Sequence, residues 1–315
     1  MHKTRATGIN AALVSAFFLG LAPVFGKAAM EEGHFSPLAV VAIRTSLAAL
    51  LLALFFAIFS RKSLYIYPAG LMGCALAGLI NGTGSIFYYI GLSKLNASVA
   101  QLLYVLYPFF VAFWLRLDWQ TPSRLTVLRI VLAVISAILL VQADAGNVDP
   151  QGVAFMLIAS ALYALHLPIN QRVLYDVPAP TVTVYTLTAM SIVVVIAYLG
   201  WDRSSLPDLN ASWSPVFALT GVTFFSRLLL FLGVKYIGGM QTALLGLAEV
   251  LVAILFSHLF LQESLIWLQW LGAGGLALSL LMVWFEKPST NPAHPHGLLG
   301  WLQPPDFTER FRKKK

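Results

Sequence analysis

Charge is what this sequence has least of. Only 10% of its 315 residues are Asp, Glu, Lys or Arg, against about a quarter in ordinary soluble domains. The chain therefore lacks the polar atoms to cover a folded surface in water. Its single cysteine, Cys74, excludes an intrachain disulfide and a cysteine-rich metal site, and inside an apolar run such a residue ordinarily serves packing. No Gly-x-x-x-x-Gly-Lys-Ser/Thr loop, His-Glu-x-x-His pair or Gly-x-Gly-Asp element occurs, so direct use of ATP, zinc hydrolysis and intramembrane proteolysis have no signature. No cofactor and no metal are expected.

Hydrophobic residues, by contrast, make up 59% of the chain. Crossing ~30 Å of hydrocarbon takes about 20 apolar residues in a helix, and ten runs of that order are bounded by charges, Pro or Gly. They cover residues 7–30, 37–59, 68–92, 97–115, 124–141, 150–171, 180–200, 213–236, 240–261 and 265–285. The first follows Lys3 and Arg5 as a signal peptide would, but it is too long and lacks a small-x-small cleavage site, so it reads as a retained span. The expected class is an all-α, multi-pass membrane protein of ten transmembrane helices.

The net charge of +7 would suggest nucleic acid as a partner of a soluble protein, but here membrane topology accounts for it. With the amino terminus in the cytoplasm, Lys3, Arg5, Arg61, Lys62, Arg116, Arg124, Arg172 and Lys235 fall inside, and only Lys27, Lys94 and Arg203 outside. The tail adds Lys287, Arg310, Arg312, Lys313, Lys314 and Lys315 to the inside. This is the positive-inside pattern of a bacterial inner-membrane protein with both termini cytoplasmic.

The chain also repeats itself. Ser15, Ala16, Phe18, Pro23 and Lys27 match Ser160, Ala161, Tyr163, Pro168 and Arg172 at identical spacing, and Gly91 precedes Tyr107 by the interval at which Gly233 precedes Glu249. The division is into residues 1–143, residues 144–286 and a basic tail, 287–315. Each repeat holds an odd number of spans, so the second enters the membrane from the opposite side to the first. Such inverted repeats let a scaffold open alternately to either face around a site at the midplane.

These residues resemble the drug/metabolite transporter superfamily, with two EamA-type domains over residues 8–285. The resemblance is carried by "GLSKLNASVAQLLYVLYP" from Gly91 to Pro108, by the Gly233 to Val250 segment, and by "LQESLIWLQWLGAGGLALSLL" after it. In that family a Gly, a small-residue turn and a Glu-Pro or equivalent pair recur in each half. This chain has Tyr107-Pro108 and Glu249-Val250, so neither copy keeps both residues. The resemblance implies ten helices, cytoplasmic termini, and export or exchange of a small metabolite through a central cavity. Amino acids, nucleosides, sugars and drugs all fall within the family's range.

Ionisable groups at hydrocarbon depth cost roughly 2.5–3.5 kcal/mol on insertion scales, and each needs a reason. Glu249 lies ~13 Å into its span and Arg227 ~12 Å into the preceding one, counted at 1.5 Å per residue. Antiparallel across a short hairpin, they are expected to form a buried pair that opens when substrate or a proton competes for one partner; a permanent structural pair is the alternative. Arg44 lies ~10 Å deep, where it would donate to carbonyls freed by Pro23 or attract an anionic substrate group. His166 precedes Pro168 by two residues, at a helix irregularity suited to a proton carrier or substrate contact, or simply to packing. Arg129 and His258 lie nearer span ends and are expected to snorkel.

Polar faces complete the set. Gln101, Tyr104 and Tyr107 recur at three-residue steps, and Asn81 and Ser85 are four apart on the adjoining helix. They would line a cavity for a small-molecule substrate or bond helix to helix. Glycines at positions 70, 73, 78, 82 and 84, and at 272, 274 and 275, favour close helix approach, within the chain or at a homodimer face. The tail, ending "RFRKKK", suits a disordered segment that meets anionic headgroups. A membrane-embedded enzyme acting on a lipid-linked substrate is the competing reading, but no second intramembrane acid is present for it. A scaffold that transports nothing gains little from inverted repeats.

Overall fold

The computed structural model describes residues 2–95, 97–118, 122–141, 149–202, 212–261 and 267–285. Twelve α-helices, two short 3-10 segments and no strand occur among them. The tail and Arg203 lie outside the described residues, as does the side chain of His258.

Proline sets where many helices begin, since its fixed φ suits the first turn and its missing N–H is not needed there. It does so for α2 (Pro37–Phe59), α3 (Pro68–Lys94), α7 (Pro150–Leu174), α8 (Ala179–Trp201) and α9 (Ser214–Ile237). Ser36 caps α2 by accepting from the Ala39 amide at 3.1 Å, and Asp149 caps α7 through the Gln151 amide at 2.9 Å. Together with residues 5–31 of α1 (His2–Glu31), these make six helices long and apolar enough to cross a membrane.

Two apolar runs are each interrupted. The first is split into α4 (Ala97–Tyr104) and α5 (Tyr107–Leu117), the other into α10 (Gly239–Gly246) and α11 (Ala248–Leu261). In the register that aligns Gly91 with Gly233, the last residue of α4 falls on the last residue of α10. Interruption frees carbonyls that water cannot reach, and side chains take them up. Ser160 donates to the Tyr104 carbonyl at 2.9 Å, and the Tyr107 hydroxyl to that of Ala243 at 2.9 Å. The remaining helices are α6 (Arg124–Val141) and α12 (Trp267–Leu281).

Helix contacts come in exchangeable couples. The first helix, α1, lies along α9 as α7 lies along α3; α3 meets α8 as α9 meets α2; α2 pairs with α8 and α6 with α12. Small residues permit these approaches. Gly78 and Gly82 face α8, and Gly84 and Gly91 face α7, so this stripe packs helices of one chain. The exterior is apolar: Ile58, Leu199 and Trp267 are 72%, 74% and 72% exposed, a surface that hydrocarbon solvates and water does not.

Polar ties sit at the helix ends. Arg172 forks both oxygens of Asp118, the nearest pair at 2.7 Å, with both side chains buried. Arg129, expected to snorkel, is instead wholly buried. Its Nη1 donates to Gln241 Oε1 at 2.7 Å and its Nε to the Ser279 carbonyl at 3.0 Å. Acceptors on α10 and α12 engage it inside the bundle, so it has no need to reach the interface.

A Cβ added at Gly78 would stand 2.5 Å from the Thr186 carbonyl oxygen, an atom fixed in a helix. Gly78→Ala should therefore cost about 1–3 kcal/mol by overpacking and lower the melting temperature of the purified protein. Gly221→Ala, which meets nothing within 4 Å, should not.

The Asp149 carboxyl is held below the usual carboxylate range, first by the Gln151 amide and then by Lys94, 3.4 Å away. A depressed folded value means that its stabilisation is full above the unfolded aspartate range and is lost as pH falls through the folded value. Asp149→Asn keeps the cap without the titration, so its melting temperature should fall below the wild type's at neutral pH and converge with it in acid.

Candidate functional site

A cavity with about 470 Å³ of empty space, including its open mouth, lies among the described helices. Both halves of the chain build it. Leu19 and Ala22 come from α1, Arg44 from α2, and Asn81, Gly84, Ser85, Tyr88 and Tyr89 from α3. Gln101 and Tyr104 end α4, while Tyr163, Arg227 and Glu249 come from α7, α9 and α11. Seven residues singled out in the sequence meet there: Arg44, Asn81, Ser85, Gln101, Tyr104, Arg227 and Glu249.

Each guanidinium lies over a tyrosine ring, Arg44 at 4.8 Å from the centroid of Tyr89 and Arg227 at 5.6 Å from that of Tyr163. Such cation–π contacts hold the charge in place without neutralising it. Nη1 of Arg44 also donates to the Thr223 hydroxyl at 3.2 Å; that hydroxyl and the Tyr89 ring, rather than carbonyls freed by Pro23, hold it in place. Arg44 Nε, Arg227 Nη1 and Glu249 Oε1 are buried and have no hydrogen-bond partner.

The expected Glu249–Arg227 ion pair is not formed: the two line one cavity without a direct bridge. The hairpin geometry that would have joined them is altered in two ways. The span carrying Glu249 is interrupted at Leu247, and α1 packs against both α9 and α11. Arg227 takes the face of Tyr163 instead.

Two candidates lie off the cavity. His166 is fully buried behind it, its Nδ1 bonded to the Tyr163 carbonyl and its ring 4.7 Å from that of Tyr163. Tyr107 spends its hydroxyl on the Ala243 carbonyl and packs edge-on against Tyr163 at 5.0 Å. The phenols of Tyr88, Tyr89 and Tyr163 were not singled out in the sequence. A signal was present for two of them, since Tyr88 and Tyr89 continue the face of Asn81 and Ser85 by one more turn. Tyr163 stood in the internal repeat opposite Phe18, which differs from it by one hydroxyl. The ring of Tyr104 meets that of Tyr88 edge-on at 4.9 Å and lies tilted to that of Tyr163 at 5.2 Å, giving the cavity an amphipathic wall of ring faces and edges.

Chemically, the arrangement can bind and release a polar solute. It offers one carboxylate, two fixed guanidiniums and two amides in a space walled by aromatic rings. No group of three or more His, Cys, Asp or Glu side chains that could hold a metal occurs among the described residues.

Tyr107→Phe should cost about 1 kcal/mol of stability by leaving the Ala243 carbonyl unpaired, measured by thermal denaturation. Because its hydroxyl points away from the cavity, solute binding should be unchanged.

Comparison with known proteins agrees with this architecture. Residues 6–142 and 150–285 each match the model of the EamA-like transporter family. A Bacillus subtilis (strain 168) protein named uncharacterized transporter YcbK is 26% identical over 64% of this chain and 68% of its own length. A Synechocystis sp. (strain ATCC 27184 / PCC 6803 / Kazusa) protein named uncharacterized transporter sll1319 is 27% identical over 70% and 68%. A crystal structure of a further protein shares the fold at a TM-score of 0.71 and 14% identity, over 88% of this chain and 97% of that one. With two matches that together span nearly all of residues 6–285, this chain belongs to the EamA-like transporter family.

Proposed function

We propose that the protein is a secondary transporter that moves a small organic metabolite or drug outward across a bacterial inner membrane by alternating access. Counting α4 with α5 and α10 with α11 as single interrupted spans, the helices make ten. Residues 1–143 and 144–286 then form two inverted five-helix repeats. The exchangeable helix couples support this reading, because halves related by a two-fold axis in the membrane plane would produce such couples. Both termini are then cytoplasmic. Arg172 and Lys235 lie at the inner ends of their helices, in keeping with the positive-inside rule.

The observation that carries the proposal is the placement of Arg44, Arg227 and Glu249 around one cavity lined from both halves. A static scaffold has no use for ionisable groups gathered around one polar space without an ion pair. A transporter does, because they are the contacts a solute completes on arrival and surrenders on release. Glu249 is the one acid there, and we assign it the step in which substrate or a proton exchanges.

Glu249→Gln should abolish or uncouple transport in proteoliposomes while the protein remains folded in the membrane. Full transport by that variant would remove Glu249 from the mechanism.

A further inference from the structure

The charge of the cavity bears on the charge of what it carries. Among the described residues its charged lining is two arginines and one glutamate, so its sum is positive whether Glu249 is ionised or carries a proton. The two cations are also neighbours. Arg44 is bonded to Thr223, and Thr223 is one helical turn from Arg227 on α9. Like charges this close in a low-dielectric interior repel, and neither is neutralised by a direct ion pair.

The guanidiniums lie over the rings of Tyr89 and Tyr163, and each keeps a buried N–H without a partner among the described residues. Planar forked donors match a carboxylate better than any other common solute group. The neighbouring rings of Tyr88, Tyr104 and Tyr163 present edges and faces that suit an aromatic body, and the empty space of about 470 Å³, mouth included, is an upper bound on its size.

Resting on the reading of this cavity as the transport site, we infer that its substrates are small organic monocarboxylates with a planar, ring-sized body. Arg44 and Arg227 take the carboxylate, and the tyrosine wall takes the ring. A net charge of −1 offsets the excess that the protein leaves uncompensated when Glu249 is ionised. A zwitterion would leave that excess in place.

The test is a charge series on one shape, using calorimetry and thermal shift on the purified full-length protein. Benzoate should bind saturably and raise the melting temperature, whereas benzamide, benzylamine and zwitterionic phenylalanine should bind more weakly or not at all. Arg44→Gln and Arg227→Gln should each weaken benzoate binding roughly tenfold or more, as expected for a lost charge-assisted contact. Arg61→Gln, exposed at the start of the 3-10 segment Arg61–Leu64 and not part of the cavity lining, should not. If either arginine variant fails to fold, the series on the native protein decides alone. Benzamide equal to benzoate, tighter binding of benzylamine or phenylalanine, or no binding of any of the four overturns the inference. Benzoate that binds but is never moved into or out of proteoliposomes contradicts the transport reading and leaves the binding inference standing. Transport of neutral or cationic solutes with no preference for anions does the reverse.

Discussion

Two guanidiniums and a carboxylate held inside an apolar bundle, with polar atoms left unpartnered, are the constraint around which the rest of the molecule is arranged. Burying an uncompensated charge costs several kcal/mol. Such groups persist only where water or a solute can reach them, so the bundle has to keep a polar space open at its centre. The tyrosines that carry the arginines on their faces make this possible, because they fix the charges in place without cancelling them. Elsewhere the interior is treated differently. Arg129 and Arg172 are just as deeply buried, but Arg129 bonds to Gln241 and the Ser279 carbonyl and Arg172 forks Asp118, and these contacts tie helices together.

A symmetric scaffold thus carries an asymmetric chemistry. The interrupted helices α4–α5 and α10–α11 break at equivalent positions, and the helix couples exchange between halves. In the register that sets Gly91 on Gly233, however, Tyr107 stands where Glu249 stands in the other copy, and Ser85 where Arg227 does. Arg44, Arg227 and Glu249 each stand in one repeat only. The shared framework supplies the breaks and the space between halves, while the unshared side chains decide what that space can hold.

Much of the fold was legible in the sequence because hydrocarbon imposes a simple length rule: the apolar runs at 37–59 and 124–141 coincide with α2 and α6. The interruptions were not legible, since the segment from Ala97 to Leu117 reads as one apolar run and no glycine marks its break. Burial cost and helical spacing alone picked out seven of the residues that line the cavity. They could not pick out the partners of those residues. Whether Arg227 would meet Glu249 or Tyr163 depends on where α1 passes between elements far apart in sequence, and the snorkelling expected of Arg129 failed because Gln241 and Ser279 reach it from distant helices. Tyr163 was hidden by its resemblance to an ordinary core aromatic.

The central claim is that this cavity faces one side of the membrane and then the other. Ser85 lines it, and Cys74 is the chain's sole cysteine, so Ser85→Cys in a Cys74→Ser background places one thiol at the site. A membrane-impermeant thiol reagent applied to oriented vesicles from either face in turn is the most direct measurement. Alternating access predicts modification from both faces, slowed when solute occupies the cavity. Modification from one face only, or from neither, would contradict it.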